Sequence, residues 1–378
     1  MVARSRMGGP WSRAQRVARA FQDGGHEVTL AWGDDGNCAD PIAPTLEIPV
    51  PSPLGLPDAI ARHTFPLASR LGLMGRKPVH SFEEVLWLTG ALDERYTRAA
   101  VDTLGAHMRT ARPDVVFSEF SLAAVIAARA EGIPCVGSGS QPTTAAYASS
   151  PRKSAGIRRL LHDMGMPAPA SSLTILEGMR RRFIPSCPTL EPWAGERAVY
   201  CGFLDEPPAL PPTPRDCALV YLGAGSVPAG VAIRAGRELA DVLSCDVYVA
   251  GVPEATQVSG GHTVTCAPRF DVADFLPRAR VFVHHGGQNS MMDALSHEVP
   301  QLIVPGRVFE RQFNAEAVEN ARCGLTVHAP KPALIARAAR RIVVDEPALT
   351  SGIRGLREEL TSLGGAARIV REVEQLIG

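Results

Sequence analysis

The sequence lacks an excess of charge of either sign. Among its 378 residues, Lys and Arg total 39 and Asp and Glu also total 39, which gives a formal net charge of zero. A neutral chain exerts no long-range attraction on nucleic-acid phosphates or on an anionic membrane surface. We therefore expect no nucleic-acid partner. Lysine occurs at only three positions, and we assign no function to this scarcity.

Paired cysteines and long apolar runs are also missing. The eight cysteines lie far apart, and none of them forms a Cys-x-x-Cys motif, so neither a zinc site nor a disulfide framework is indicated. No stretch approaches the roughly 18 consecutive apolar residues that a transmembrane helix requires, and the N-terminus has no apolar signal-peptide core. These absences predict a cytoplasmic protein with no bound metal and no stable membrane insertion.

What the chain does contain is a repeated alternation of short apolar segments with amphipathic ones. Segments 113–120 and 133–139 have the pattern of buried strands, and segment 121–132 between them has the pattern of a helix. Short strands that are apolar on both faces and alternate with helices are typical of a parallel sheet covered on both sides. The alternation predicts an α/β fold.

A proline-rich stretch divides this alternation into two halves. Five prolines lie within residues 203–216, and such a segment fits neither a helix interior nor a central strand. We predict an N-terminal acceptor-binding domain over 1–202, a linker over 203–216, a second domain over 217–362, and a final helix, 363–378, that packs back on the first domain. Ligands bind such folds at the carboxyl ends of the strands, so a cleft between the domains is expected to hold the site.

Two glycine-rich turns in the second half, LGAGS at 222–226 and HHGG at 284–287, each join a strand to a helix. Glycines let backbone N–H groups approach a ligand closely, and the positive end of the following helix dipole favours an anion. Each turn alone also fits an ordinary capped connection. Together they favour one ligand that carries a phosphate or diphosphate.

The residues around the second turn resemble the donor-binding signature of the family 1 glycosyltransferases of GT-B fold. HHGGQNSMMDAL, VPQLIVP and ERQFNA follow one another as in that signature, roughly HGGxGTxxEALxxGxPxxxxPxxxDQxxNA. Segments 19–31, 164–172, 183–192 and 269–283 are similar to other parts of bacterial members that glycosylate natural products. The resemblance implies two Rossmann-like domains whose parallel sheets face each other across a cleft.

Carried over residue by residue, the resemblance implies a donor site for a dTDP- or UDP-sugar, which is a co-substrate and not a cofactor. The implied contacts are Ser226, His285, Gly287, Asn289 and Ser290 for the phosphates, Arg269, Phe270 and Val272 for the nucleobase, Asp293 for the ribose, and Glu310 and Arg311 for the sugar.

This chain departs from the family pattern at two places. Glu310 and Arg311 stand where the family usually has Asp-Gln, so a cation replaces an amide, which suits an unusual or acidic sugar. The usual catalytic histidine falls near Pro10, and no histidine precedes His26. Either the chain begins late, or the first strand is abbreviated and the usual base is absent.

An inverting transfer needs a group that accepts the proton of the attacking hydroxyl. Glu119 follows the predicted strand 113–120 and is therefore the first candidate, because it is expected to face the cleft. Ser12 lies near the position of the missing histidine and is the second candidate.

The sequence thus predicts a metal-independent, inverting glycosyltransferase that moves a sugar from a nucleoside diphosphate to a small-molecule acceptor, such as a natural product. It is expected to act as a monomer or a homodimer. Because the usual base is missing, a non-catalytic nucleotide-binding homologue or auxiliary protein remains an alternative. A nucleotide-sugar epimerase and a transferase acting on a lipid-linked acceptor are further alternatives.

Overall fold

The computed structural model describes the chain from Val2 to Gly378 except for residues 4–7, 34–40, 57–77, 149, 194, 196, 211–213, 224–226 and 345. The described residues fall into two compact units. One unit comprises those of Met1–Ala61, His80–Glu206 and Leu360–Gly378, and the other those of Arg62–Val79 and Pro207–Glu359.

Each unit is built on one seven-stranded sheet within the described residues. The first sheet has the order β3-β2-β1-β4-β5-β6-β7 and is parallel throughout. Its strands are β1 (Val2–Ala3), β2 (Leu30–Trp32), β3 (Thr45–Glu47), β4 (Val116–Ser118), β5 (Cys135–Ser138), β6 (Arg182–Ile184) and β7 (Ala198–Tyr200).

The second sheet has the order β10-β11-β9-β8-β12-β13-β14. Its strands are β8 (Cys217–Tyr221), β9 (Asp246–Ala250), β10 (Ala255–Ser259), β11 (His262–Ala267), β12 (Ala279–His284), β13 (Gln301–Ile303) and β14 (Gly324–Thr326). The edge strand β10 pairs antiparallel with β11, and the other pairings are parallel. The carboxyl ends of six strands therefore share one edge.

Helices connect the strands and cover the sheets. They are α1 (Gly8–Asp23), α2 (Phe82–Leu88), α3 (Glu94–Ala111), α4 (Leu122–Ala130), α5 (Ala155–Asp163), α6 (Leu173–Glu177), α7 (Ala229–Leu243), α8 (Val272–Phe275), α9 (Gln288–Ser296), α10 (Phe309–Asn320), α11 (Pro332–Val344), α12 (Glu346–Ser362) and α13 (Gly365–Ile377). In the part of the chain that the structure describes, no helix is long and apolar enough to cross a membrane.

The core of the second unit explains why its central strands have an unbroken apolar sequence. Residues 217–220 of β8 and 281–283 of β12 are fully buried, because helices pack on both faces of a parallel sheet. In the first sheet, the described part of β1, Val2–Ala3, pairs in parallel with β2 on one side and β4 on the other.

The last helix packs against the first. On α13, Ala366, Ile369, Val370 and Val373 are buried, and their spacing of three or four residues places them on one face of the helix. Ile369, Val370 and Val373 share an apolar cluster with Trp11 of α1. The C-terminal helix is therefore part of the first unit.

Candidate functional site

The carboxyl ends of β8 and β12 lie side by side in the second sheet. Their last residues, Tyr221 and His284, are register partners, and each strand continues into one of the two glycine-rich turns. The turn after β12 leads at once into α9 and is fully described, whereas residues 224–226 of the other turn, including Ser226, lie outside the described residues. The geometry of the site therefore starts from the turn His285-Gly286-Gly287.

His284 holds the start of this turn. Its imidazole is completely buried. Nδ1 accepts a hydrogen bond of 3.1 Å from the Gly286 N–H, so the proton lies on Nε2, which donates to Gln301 Oε1 over 2.9 Å. Burial lowers the pKa of His284 to about 4, although the hydrogen bond to Gln301 opposes the shift. His284 is thus a neutral structural residue at physiological pH.

Replacement of His284 by asparagine is expected to make the free energy of unfolding depend less on pH between pH 7 and 4. In the unfolded chain His284 binds a proton with its ordinary pKa of about 6.5, whereas in the folded protein its pKa is about 4. The free energy of unfolding of the wild type therefore decreases by up to ~3 kcal/mol as the pH falls from 6.5 to 4. Asparagine keeps an acceptor for Gly286 and does not titrate. Urea unfolding of both proteins at several pH values between 7 and 4 measures the difference, and parallel profiles would contradict the assignment.

His285 packs its imidazole edge-on against the ring of Tyr221, with ring centroids 5.1 Å apart. Its N–H donates to the carbonyl oxygen of Tyr221 over 3.2 Å, and its Nδ1 lies 3.4 Å from the same oxygen. Nε2 lies over Gly287, where a Cβ would stand only 2.5 Å from it. The absence of a side chain at Gly287 therefore makes room for the imidazole, and Nε2 is the ring atom that remains for a ligand.

His285 is neutral in the unliganded protein. Burial lowers its pKa well below the ordinary value, and the positive charge of Arg311 and the neighbouring His284 lower it further. A nearby anion would have the opposite effect, because it favours the protonated imidazole.

Gly286 brings the turn against α10. Its φ is +84°, and a Cβ there would lie 2.8 Å from Ile303 Cγ2 and 3.0 Å from the Arg311 carbonyl oxygen. The buried Asn314 amide donates to the Gly286 carbonyl over 2.8 Å. Sequence reasoning assigned no role to Asn314, although the ERQFNA segment contains it, and the structure shows that it fixes the turn.

The first turn of α9 presents backbone N–H groups at the same place. Gly287 is the N-cap residue, Ser290 is buried in the first turn and Asn289 is partly exposed. N–H groups in the first turn of a helix have no acceptor within the helix, and the helix dipole adds positive potential, so such an end binds anions. The turn and the helix therefore form a preorganised anion site.

Arg311 adds a cation to this site. It lies in the first turn of α10, and its pKa is lowered by burial, an effect that the charge of neighbouring Glu310 and the hydroxyl group of Tyr221 partly oppose. The Arg311 Cβ would lie 3.4 Å from a Cβ at Gly286, and the positive charge of Arg311 contributes to the lowered pKa of His285. A desolvated cation of this kind gains most from an anionic ligand.

The predicted nucleobase residues follow β11, whose carboxyl end lies at the same edge of the sheet. Arg269 is exposed, while Phe270 and Val272 are half-buried. The Phe270 ring meets those of Phe275 and Tyr248, with centroids 5.2 and 5.8 Å away. Aromatic packing therefore fixes this loop at the carboxyl edge of the sheet.

All the described donor candidates thus lie on elements that start at one edge of the second sheet. Asp293 lies in the second turn of α9 and Glu310 in the first turn of α10, both half-buried. Among the described residues there is no group of three or more His, Cys, Asp or Glu side chains suited to hold a metal ion.

Glu119, the predicted base, is buried in the first unit. It follows β4 and is 0% exposed. Its Oε1 accepts from Arg13 Nε over 2.6 Å, and its Oε2 accepts a short hydrogen bond from the Ser138 hydroxyl. Both oxygens are engaged inside the unit, so the expectation that Glu119 faces an open cleft does not match its surroundings. Ser12 is half-buried on α1, and a catalytic role for either residue stays a prediction.

Comparison with known proteins bears on the second unit first. Residues 253–376 match the family described as erythromycin biosynthesis protein CIII-like, C-terminal domain. This segment is similar to that C-terminal domain. It contains the turn of His285, the helix α9 and Arg311, so the resemblance to bacterial natural-product glycosyltransferases of family 1 is confirmed.

Curated relatives match parts of the chain. Aclacinomycin-T 2-deoxy-L-fucose transferase of Streptomyces galilaeus is 27% identical over 190 residues, which are 49% of this chain and 42% of that protein. NDP-glycosyltransferase YjiC of Bacillus subtilis (strain 168) is 30% identical over 104 residues, 27% of this chain and 26% of that protein. The matches thus span less than half of the relatives' length.

Solved structures match over the whole length. The calicheamicin glycosyltransferase CalG4 has a TM-score of 0.73 at 18% identity and covers 100% of this chain and 98% of its own. The glycosyltransferase VinC in complex with dTDP has a TM-score of 0.67 at 18% identity over the same shares. The predicted GT-B fold is therefore confirmed.

Proposed function

We propose that the protein is a glycosyltransferase that transfers a sugar from a nucleoside diphosphate donor to a small natural-product acceptor. The observation that carries this proposal is the anion site at the carboxyl edge of the second sheet. There the N-terminus of α9, the imidazole of His285 and the desolvated guanidinium of Arg311 converge on the turn at Gly286-Gly287. A relative named as a 2-deoxy-L-fucose transferase and a similar fold that binds dTDP support the same reading.

The charge at this site suits a diphosphate as leaving group. When the bond between the anomeric carbon and the diphosphate oxygen breaks, negative charge develops on the phosphate. Preorganised N–H donors and a buried cation stabilise that charge without reorganising. We propose that these protein groups supply the stabilisation without a divalent cation, and that the acceptor hydroxyl attacks from the opposite face and inverts the anomeric centre.

The sugar position is proposed to lie near Glu310 and Arg311. A carboxylate beside a guanidinium binds hydroxyls on one side and an anionic substituent on the other. The arrangement therefore favours a donor sugar that carries an acidic group.

One specific observation supports a second candidate, a nucleotide-binding protein without transferase activity. The carboxylate predicted as base is buried in an ion pair with Arg13, and no histidine precedes His26. Such a protein would retain the diphosphate site and lack the proton acceptor for the attacking hydroxyl.

The two candidates differ in turnover. Purified protein is incubated with dTDP- and UDP-linked neutral and acidic sugars and a panel of aromatic and macrolide aglycones. Release of nucleoside diphosphate and formation of glycoside are followed by liquid chromatography and mass spectrometry, with and without EDTA. The proposal expects an acceptor-dependent glycoside of inverted configuration that persists in EDTA. Tight binding of dTDP or UDP in calorimetry, with no product from any pair, would favour the second candidate.

A variant at Arg311 tests the proposed sugar position. Arg311→Gln restores the amide that the family usually has. It is expected to lower turnover of every donor, because the diphosphate site loses a cation, and also to shift the ratio of turnover from the acidic toward the neutral sugar. An unchanged preference would contradict the role given to Arg311.

A further inference from the structure

A cavity of about 480 Å³ opens in the first unit, away from the residues discussed so far. Its lining includes Ile133, Pro134 and Cys135, which lead into β5, and Arg180, which precedes β6. These are the amino ends of the strands. Glu119 follows the carboxyl end of β4, so the cavity lies at the opposite edge of the same sheet and is distinct from any site at the carboxyl ends.

The inner wall of the cavity is apolar. It is formed by the side chains of Val125, Ile126, Leu161, Met166 and Ile175, from α4, α5, α6 and the loop after α5. Cavities of about 300–1,000 Å³ with such walls bury most of the surface of a small ligand. The size and the lining therefore suit a compact apolar body.

Two arginines give the cavity a positive charge. Arg129, in the last turn of α4, and Arg180 both line it and are exposed to solvent. In the portion of the chain described by the structure, neither guanidinium forms an ion pair with a carboxylate.

The carboxylates nearest in sequence are engaged elsewhere. Glu131 accepts a hydrogen bond from Arg109, Glu177 accepts one from the Ala145 N–H over 2.8 Å, and Asp163 pairs with Arg98 over 2.6 Å. None of these three carboxylates therefore forms an ion pair with either of the two cavity arginines.

We propose that this cavity binds an apolar carboxylic acid of the size of a medium-chain fatty acid. The apolar body would displace water from the wall formed by α4, α5 and α6. The carboxylate would accept hydrogen bonds from Arg129 and Arg180, since a guanidinium matches the planar geometry of a carboxylate. The site is distinct from the proposed donor site, because none of its residues belongs to the second unit.

Decanoate is the probe, and decanol is its uncharged counterpart. Calorimetric titration of the full-length protein with decanoate, below its micellar concentration, is expected to show one saturable site. The double variant Arg129→Gln/Arg180→Gln is expected to weaken decanoate binding at least tenfold and to leave binding of decanol unchanged.

Two further variants make the test decisive. Arg19→Gln/Arg95→Gln removes two exposed arginines of the same unit that do not line the cavity, and it should bind decanoate as the wild type does. Ile175→Trp fills the cavity and should abolish binding while the circular dichroism spectrum remains that of the folded protein. The proposal is overturned if the wild type shows no saturable binding, if both arginine pairs have equal effects, or if folded Ile175→Trp binds decanoate undiminished.

Discussion

Replacement of His285 by alanine is expected to lower kcat/KM for the nucleoside diphosphate donor by about 100- to 1,000-fold. Removal of one preorganised donor to a developing oxyanion has an effect of this size in other enzymes. Here the group lost is Nε2, the ring atom that lies over Gly287 at the N-terminus of α9. The fold should be unaffected, because His284 and Asn314 continue to hold the turn.

The pH dependence of dTDP binding distinguishes a contact of His285 with phosphate from a role in packing alone. In the free protein its pKa lies well below the ordinary value, because of burial and the charge of Arg311, so the ring is neutral at pH 7. A bound diphosphate raises that pKa. Binding therefore takes up a proton, and the affinity of the wild type for dTDP should increase as pH falls between the bound and the free pKa.

Titration calorimetry with dTDP in buffers of different ionisation enthalpy measures this uptake directly. On binding dTDP, His285→Ala should take up fewer protons than the wild type, by up to one proton per site. Taking this difference also removes the contribution of protons that dTDP itself binds. The exposed His328 provides the control, and His328→Ala should match the wild type in both kcat/KM and proton uptake. A His285→Ala protein with unchanged kinetics would refute the diphosphate contact.

The fold was largely predictable because buried parallel strands leave a strong local pattern. Strands β4 and β5 are buried along their whole length and fall within the predicted segments 113–120 and 133–139. Strands β8 and β12 are buried along most of their length and end at the two predicted glycine-rich turns. The edge strand β10 was missed, since its side chains are partly or fully exposed and lack the apolar run. The Gly260-Gly261 turn that joins it to β11 was the available hairpin signal.

The donor site was predictable for a related reason. Its chemistry lies on one glycine turn and the helix that follows, so residues near in sequence are also near in space. In the first unit, the residues around the candidate base are far apart in the sequence. Glu119 and Arg13 are 106 positions apart, and tertiary contacts such as the pairing of β1 with β4 bring the two segments together. No local pattern distinguishes a buried ion-pair carboxylate from a catalytic one at the end of a strand.

Glu119→Gln is expected to destabilise the first unit by about 3–5 kcal/mol. Glutamine has nearly the same shape, but it removes the negative charge that pairs with the buried Arg13 guanidinium, 8% exposed, and breaking a buried ion pair costs about this much. The same turn holds Phe120 at a φ of +57°, beneath the Arg13 guanidinium at 5.7 Å from the ring centre. The ion pair therefore also supports a strained backbone conformation.

Urea unfolding of a double-mutant cycle tests this role. Arg13→Met/Glu119→Gln removes both charges and should recover a substantial part of the stability lost in Glu119→Gln. Asp163→Asn breaks the exposed pair with Arg98 and should cost less than about 1 kcal/mol.

The same variants decide between structure and catalysis. A structural carboxylate predicts that the double variant regains activity together with stability, because folded protein is restored. A general base predicts that glycoside formation stays low in the stable double variant and that the acid limb of its kcat profile disappears. Recovery of stability without recovery of turnover would therefore support Glu119 as the general base, and recovery of both would show that another group accepts the proton.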